Sequence, residues 1–294
     1  MRHQARCFEV LESFLITSRE TLEASLVVGI VFAYLNRTNN RNYKKTVFYG
    51  IVSGILASLL AAIAFTLIAG GFEGSAEEIF EGATMLIGAF LLTTMILWMM
   101  RQKHISKEIE GKVEKHLQRA QPLFSHVGIF LLIFIAIIRE GVETVIFLNA
   151  TNYAGGVSFI GGLLGVAIAI VIGYVFFMSM KKVNLKKLFN ASSVLLILFA
   201  AGLVAHGIHE FEEAGVFNPI IEHVWDINPA APLAEQGVYP ALHEKGVIGS
   251  FLTGLFGYNG NPSLLEILFY TGYLVLIYFL YRRIEKSKVN AIQS

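Results

Sequence analysis

The sequence has one cysteine, Cys7, and few charged residues. A single cysteine excludes an internal disulfide and any Cys-x-x-Cys metal or redox motif. Charged residues make up 15% of the chain, whereas soluble domains contain roughly 25%. The formal net charge of +1 gives no indication of a nucleic-acid partner. Hydrophobic residues make up 55% of the chain, a balance typical of a protein that crosses a membrane several times.

Seven segments are long and apolar enough to span a bilayer, which requires about 20 mostly apolar residues per helix. They lie at about 9–35, 47–70, 77–100, 124–150, 156–180, 189–213 and 263–283. Glu9 and Glu12 interrupt the first segment, so we expect a retained span there and not a cleaved signal peptide. The predicted fold class is an all-α polytopic membrane protein with seven transmembrane helices. Residues 1–283 would form one transmembrane domain and residues 284–294 a cytoplasmic tail.

Basic residues alternate between the loops that connect these segments. They are concentrated at 36–46, 101–123, 181–188 and 282–294. Residues 71–76 and 151–155 contain none, and the long segment 214–262 contains Lys245 alone. Because cytoplasmic loops are enriched in lysine and arginine, we expect the basic loops and the C-terminus to be cytoplasmic. The N-terminus and an external loop at 214–262 would then lie outside the cell membrane.

Two of the apolar segments contain the same charged motif, Arg-Glu-x-x-Glu. Its residues are Arg19, Glu20 and Glu23 in the first segment and Arg139, Glu140 and Glu143 in the fourth. In a helix these positions fall within an arc of about 100°. Each motif therefore presents one guanidinium and two carboxylates on a single helical face.

The two motifs are three predicted spans apart, and an odd number of spans reverses the direction of the chain. Residues 9–100 and 124–213 therefore resemble an inverted repeat of three helices each, a common construction in transporters. The seventh helix, 263–283, would be an addition. Both motifs lie near the middle of the bilayer or slightly outward of it, at about 1.5 Å per residue. We expect them to face each other across a pseudo-two-fold axis.

Charged residues at this depth are costly. Each charge at the centre of a spanning helix costs about 2.5–3.5 kcal/mol, so six would cost on the order of 15–20 kcal/mol unless paired or hydrated. Pairing within the motifs leaves one carboxylate of each in excess. A bound multivalent cation would neutralise both, so we predict a metal site formed by the four glutamates, with the two arginines as ion-pair partners. A purely structural pair of ionic links between helices is the alternative.

The residues alone do not select the cation or every detail of the function. Carboxylate oxygens suit hard cations, and Fe³⁺, Fe²⁺, Ca²⁺, Mg²⁺ and Mn²⁺ all accept them. A transporter of another divalent cation, such as manganese, therefore stays open. A membrane-embedded carboxylate metalloenzyme is disfavoured because di-iron sites typically use Glu-x-x-His motifs, and neither cluster contains histidine. A seven-span receptor has no evident use for duplicated charges.

A second set of candidate ligands lies at the outer ends of the third and sixth segments. It consists of Glu77, Glu78, Glu81, His206, His209, Glu210 and Glu213. Offsets of three and four residues place these side chains on one side of each helix. Because the two segments are equivalent in the repeat, we expect an entry funnel or accessory metal site where they converge. Solvated helix ends are the alternative interpretation.

The stretches RETLEASLVVGIVFAYL and IREGVETVIF resemble the oxidase-dependent iron transporter family, which includes the fungal high-affinity iron permease and its bacterial counterparts. IFEGATMLIGAFLLTTMILWM at 79–99 is similar to the family's third span, and LVAHGIHEFEEAGVF at 203–217 to the end of its sixth. The resemblance covers most of residues 10–283. Thr21 stands where the family usually has glycine and Val142 where leucine is usual, and neither difference changes a charge.

The resemblance implies an iron ion permease and not an enzyme, with iron as the transported substrate and no prosthetic group. It implies that the paired Arg-Glu-x-x-Glu motifs of the first and fourth spans bind the ion. It also implies a separate extracytoplasmic protein that oxidises or delivers iron. The sequence itself contains no copper-ligand pattern or haem motif for oxidising iron.

Overall fold

The regular structure is helical throughout the described residues. The computed structural model describes residues 2–101, 105–117, 122–154, 156–178, 185–229, 239–243 and 246–293. The helices are α1 (Arg2–Arg37), α2 (Lys44–Ala69), α3 (Ser75–Arg101), α4 (Ile105–Leu117), α5 (Pro122–Ala154), α6 (Phe159–Met178), α7 (Leu185–Glu213), α8 (Val247–Phe256) and α9 (Leu264–Gln293), with a 3-10 turn at Arg41–Tyr43. The predicted all-helical class is therefore confirmed.

Each of the seven predicted segments falls on a long helix: α1, α2, α3, α5, α6, α7 and α9. Helix α9 continues through the predicted tail to Gln293, and α8 occupies part of the predicted external loop. Residues 179–180 of the fifth segment, 230–238 and 244–245 of the loop, and Ser294 lie outside the described residues.

Four helical stretches in the described part of the chain are long and apolar enough to cross a membrane. They are Arg41–Ala69, Ser75–Met99, Ser192–Glu213 and Leu264–Ile284. A shorter apolar stretch, Phe159–Val175, lies within α6. Helix α2 also exposes large apolar side chains along its length, such as Leu60 and Leu67, which a soluble protein would bury more often. The chain is a helical membrane protein, and its number of crossings stays a prediction.

Each of the first three long helices packs mainly against a helix from the second half of the sequence. The most extensive contacts join α1 to α6, α2 to α5 and α3 to α7. Helices α1 and α5 also contact each other, α4 covers one end of both, and α9 packs on α7. Helix α8 packs against both α1 and α7. This arrangement brings the two charged motifs, on α1 and α5, to the same part of the bundle.

Glycines make the closest helix contacts. On α2, Gly50 and Gly54 lie directly against Ile133 and Ile137 of α5. Gly82 of α3 lies against Gly207 of α7, where a Cβ on Gly82 would come within 2.8 Å of the Gly207 carbonyl oxygen. Gly161 and Gly165 of α6 lie against the backbone of α1 at Val10 and Phe14. Small residues allow helices to approach closely inside a membrane, where packing contributes much of the association.

Replacing Gly54 with alanine should destabilise the bundle. The added Cβ would lie 2.7 Å from the Cβ of Ile137, and overpacking of this kind costs about 1–3 kcal/mol. We expect the thermal unfolding midpoint of the purified protein in detergent to fall by several degrees. Gly272→Ala on α9 is the matched control, because an added Cβ there meets no atom within 4 Å. An unchanged midpoint for Gly54→Ala would contradict the described contact.

Candidate metal centre

The two Arg-Glu-x-x-Glu motifs meet where α1 crosses α5. One carboxylate oxygen from each of Glu20, Glu140 and Glu143 lies within 4.8 Å of the other two. Glu20 and Glu140 are buried, and Glu143 is partly buried. The fourth predicted ligand, Glu23, is buried beside them but does not belong to this group of three. Motifs 120 residues apart in sequence thus contribute to one cluster, which we call the central cluster.

Apolar layers enclose the central cluster on both sides. One buried apolar layer contains Ile16 of α1 and Phe147 of α5, and the other contains Val31 of α1 and Ile133 of α5. Along α1 the first layer precedes the charged motif and the second follows it, whereas along α5 the order is reversed. The two helices therefore pass the cluster in opposite directions, as the sequence predicts for the first and fourth spans.

Arg19 is deeply buried and bridges α1 to α3. Its Nη1 donates a hydrogen bond to Glu20 Oε1 at 3.0 Å, and its Nη2 lies 3.2 Å from Glu23 Oε1. The same guanidinium contacts the Sδ atoms of Met95 and Met99 at 3.0 and 3.4 Å. Only 2% of the Arg19 side chain is exposed. The two methionines are site residues that sequence reasoning missed, because thioethers on an apolar helix resemble ordinary core residues.

Arg139 makes equivalent ion pairs but in a more open position. Its Nε and Nη2 donate to Glu140 Oε1 at 3.0 and 2.5 Å, and its Nε lies 3.5 Å from Glu143 Oε1. In contrast to Arg19, 52% of the Arg139 side chain is exposed. The two motifs have the same sequence pattern but unequal surroundings.

The central cluster has unused capacity for a cation. The Oε2 atoms of Glu20 and Glu140 are buried and have no hydrogen-bond partner, although buried polar atoms are usually satisfied. Four carboxylates and two guanidiniums also leave two negative charges in excess. Hard cations prefer several carboxylate oxygens converging from more than one direction. The arrangement therefore suits a multivalent metal ion.

The outer candidate residues separate into two groups. Gly82 and Gly207 bring the start of α3 and the end of α7 together, and Glu210 interacts electrostatically with Glu81 and Glu78. Glu210 also interacts with His209 and Glu213 and so adjoins both groups. We call Glu77, Glu78, Glu81 and Glu210 the acidic group. Glu78 Oε2 is buried there without a hydrogen-bond partner. His206 turns back on its own helix, with Nδ1 3.0 Å from the carbonyl oxygen of Gly202.

His209 and Glu213 lie in the second group, which faces α9. His209 Nε2 is 3.3 Å from Glu213 Oε1, and His209 Nδ1 is 3.1 Å from Glu266 Oε1. His209, Glu212 and Glu266 each place one ligand atom within 4.8 Å of the other two. Sequence reasoning missed Glu212 and Glu266. Two features of the sequence could have indicated them. Glu266 is the lone acidic residue in the seventh apolar segment, and Glu212 lies three residues after His209.

The chain is similar to known permeases along nearly its whole length. The model of the Iron permease FTR1 family matches residues 10–287. "Ferrous iron permease EfeU" of Yersinia pseudotuberculosis is 30% identical, over 93% of this chain and 93% of the relative. The same-named protein of Escherichia coli strain 536 is 31% identical, over 89% and 91%. An uncharacterized protein of Archaeoglobus fulgidus is 33% identical, over 96% and 99%. No solved structure matches the chain.

Proposed function

Because this chain belongs to the iron permease FTR1 family, we propose that it moves iron across the membrane through the central cluster. Members of this family are permeases and not enzymes, which removes the metalloenzyme alternative. The observation that carries the proposal is the convergence of Glu20, Glu140 and Glu143 within 4.8 Å on two antiparallel helices.

In the proposed mechanism the carboxylates of Glu20, Glu140 and Glu143 replace water around the iron ion. The guanidiniums of Arg19 and Arg139 keep these carboxylates ionised and oriented while the site is empty. Once the cation enters, it compensates the carboxylate charges in place of the two guanidiniums. Arg19 then moves away, and the Glu23 carboxylate that it held completes the ligand set. A thioether sulfur is a weak hydrogen-bond acceptor, so the contacts of Arg19 with Met95 and Met99 oppose this movement little.

We further propose seven transmembrane crossings built as a three-plus-three inverted repeat. In such a repeat, α1, α2 and α3 correspond to α5, α6 and α7. The α1–α6 pair then corresponds to the α2–α5 pair, whereas the α3–α7 and α1–α5 pairs each correspond to themselves. All of these pairs are in contact, which supports the repeat. Residues 9–100 and 124–213 would be its halves, with 263–283 added as the seventh crossing.

The proposed orientation places the N-terminus outside and the C-terminus in the cytoplasm. The distribution of basic residues supports it, since with seven crossings the lysine- and arginine-rich loops would all fall on one side. The acidic group at the outer ends of α3 and α7 would then face the incoming cation and raise its local concentration. A separate extracytoplasmic protein would supply or oxidise the iron, as the family resemblance implies.

Iron uptake into liposomes tests the function. Purified protein is reconstituted, and accumulation of radioactive iron is measured as Fe²⁺ under reducing conditions and as soluble Fe³⁺, with and without a pH gradient. We expect accumulation well above empty liposomes, and the name of the relatives favours Fe²⁺ as the form supplied. Iron should outcompete an equal concentration of Mn²⁺.

Two results would contradict the proposal. Iron accumulation equal to that of empty liposomes would exclude an iron permease, and faster transport of Mn²⁺ than of either iron ion would assign a different cargo. The same vesicles test the orientation, because iron added outside should enter those in which a C-terminal tag is protected from external protease.

A further inference from the structure

The end of α7 and the start of α9 carry a group of metal-ligating side chains apart from the central cluster. His209 and Glu212 extend from α7 and Glu266 from α9, with one ligand atom of each within 4.8 Å of the others. Only 2% of the Glu266 side chain is exposed. We propose that His209, Glu212 and Glu266 form a second metal site that binds a divalent transition-metal ion.

The two carboxylates are held in place by the segment that precedes α9. Ser263 and Glu266 form a capping box: the Ser263 amide donates to Glu266 Oε1 at 2.9 Å, and the Glu266 amide donates to Ser263 Oγ at 3.1 Å. Asn259 Nδ2 donates to Glu266 Oε2 at 3.0 Å. Ser263 Oγ also donates to Glu212 Oε2 at 2.5 Å. Such outer hydrogen bonds orient metal-ligating carboxylates.

The imidazole of His209 is arranged in the way that metal ligands usually are. Its Nε2 faces Glu213 Oε1 at 3.3 Å, so a proton on Nε2 would be held by that carboxylate. The other nitrogen, Nδ1, would then be free of its proton and able to bind a metal. A histidine that donates one N–H to a carboxylate and ligates through its other nitrogen is the common arrangement in metal sites.

One buried atom in this group, Glu212 Oε1, lacks a hydrogen-bond partner. A second, His209 Nδ1, lies 3.1 Å from Glu266 Oε1, which already accepts from the Ser263 amide. The carboxylates of Glu212, Glu213 and Glu266 lie close to the single imidazole, and Glu210 also interacts with it. Even a protonated His209 would therefore leave negative charge in excess. A divalent cation would satisfy both atoms and neutralise the excess.

The ligand set defines the class of metal. Imidazole nitrogen suits iron, zinc, copper and nickel, whereas Ca²⁺ and Mg²⁺ prefer oxygen ligands alone. The second site therefore differs from the all-carboxylate central cluster in favouring divalent transition metals over alkaline-earth ions. A role for the second site in passing iron to the central cluster rests on the proposed function. The proposal that the site binds a metal does not.

Electron paramagnetic resonance of bound Mn²⁺ tests the proposal. Full-length protein is purified in detergent, stripped of metal and loaded with Mn²⁺, and the ¹⁴N coupling of a bound imidazole is measured by a pulsed method. We expect this coupling in the wild type and in a Glu20→Gln/Glu140→Gln variant, which lacks central ligands. His209→Asn and Glu266→Gln should lose it, with at least tenfold weaker Mn²⁺ binding at that site.

His206→Asn is the matched control, since His206 lies one turn earlier on the same helix and contacts its own backbone. It should retain the nitrogen coupling. Persistence of the coupling in His209→Asn, or its absence from the wild type, would overturn the proposal and leave His209–Glu266 as an ion pair between helices. A thermal unfolding midpoint close to that of the wild type shows that His209→Asn is folded. A failed iron-uptake assay would leave these binding results unaffected.

Discussion

Iron uptake is expected to fall to the level of empty liposomes when either Glu20 or Glu140 is replaced by glutamine. Each substitution removes one negative charge and one oxygen ligand from a buried group of three carboxylates. Loss of groups that merely support a metal ligand already costs about 10–100-fold in affinity or activity, so loss of a ligand should cost at least about 100-fold. Initial rates of radioactive iron uptake measure the effect.

The protein itself should remain folded in these variants. Glutamine has the volume of glutamate, and removing one of the two excess negative charges relieves repulsion within the cluster. Glu108→Gln is a suitable control, because Glu108 is an exposed carboxylate of α4 that pairs with Lys112, and surface pairs of this kind contribute about 1 kcal/mol or less. Wild-type uptake by either Glu20→Gln or Glu140→Gln would remove the central cluster from the transport mechanism.

The remaining glutamates of the motifs allow a graded comparison. Glu143→Gln should reduce uptake strongly, since its carboxylate belongs to the group of three. Glu23→Gln should have a smaller effect, because the Glu23 carboxylate faces Arg19 and, in the proposed mechanism, joins the ligands only after the other three carboxylates have bound the ion.

The second large effect concerns stability, and it should differ between the two arginines. Arg19→Gln would leave Glu20 and Glu23 buried without their cationic partner, and breaking a buried ion pair in this way costs about 3–5 kcal/mol. Arg139 occupies the same place in its motif but is half exposed, although its partner Glu140 is buried, so Arg139→Gln should destabilise the protein less than Arg19→Gln. Unfolding of the purified proteins in detergent, followed by tryptophan fluorescence, measures the difference.

A double variant separates charge from packing. If uncompensated charge causes the loss, Arg19→Gln/Glu23→Gln should recover much of the stability that Arg19→Gln loses, since the double substitution restores the original charge balance. Equal destabilisation by Arg19→Gln and Arg139→Gln would show that the described difference in burial has no energetic consequence.

The helical fold was largely predictable because apolar length and charge are local properties of the sequence. Each predicted segment lies on a helix, and the 100° periodicity placed the charges of each motif on one face. Pairing of the motifs also followed from counting the spans between Glu20 and Glu140. Glu266 was missed because a lone glutamate at the start of an apolar segment looks like an ordinary helix end. Only the tertiary contact with His209 distinguishes it from one.

The contacts of Arg19 with Met95 and Met99 were not predictable for a related reason. The sequence specifies that a buried guanidinium needs partners, and Glu20 and Glu23 supply them within α1. Which side of α3 faces α1 depends on how the bundle assembles, and the apolar residues of α3 show no clear stripe that would indicate it.

In the proposed inverted repeat, helix α8 makes the two halves of the bundle unequal. It packs against α1 and α7, and Gly257 at its end contacts Gly202, whereas the corresponding helices of the other half, α5 and α3, touch directly. If the two halves packed identically, the two arrangements obtained by exchanging their roles would have equal free energy. The contacts of α8 with α1 and α7 would lift this degeneracy, because α5 and α3 touch each other directly instead. If the protein works as the proposed carrier, it has a preferred resting side when unloaded, and cargo binding or an ion gradient must supply the energy that moves it to the other.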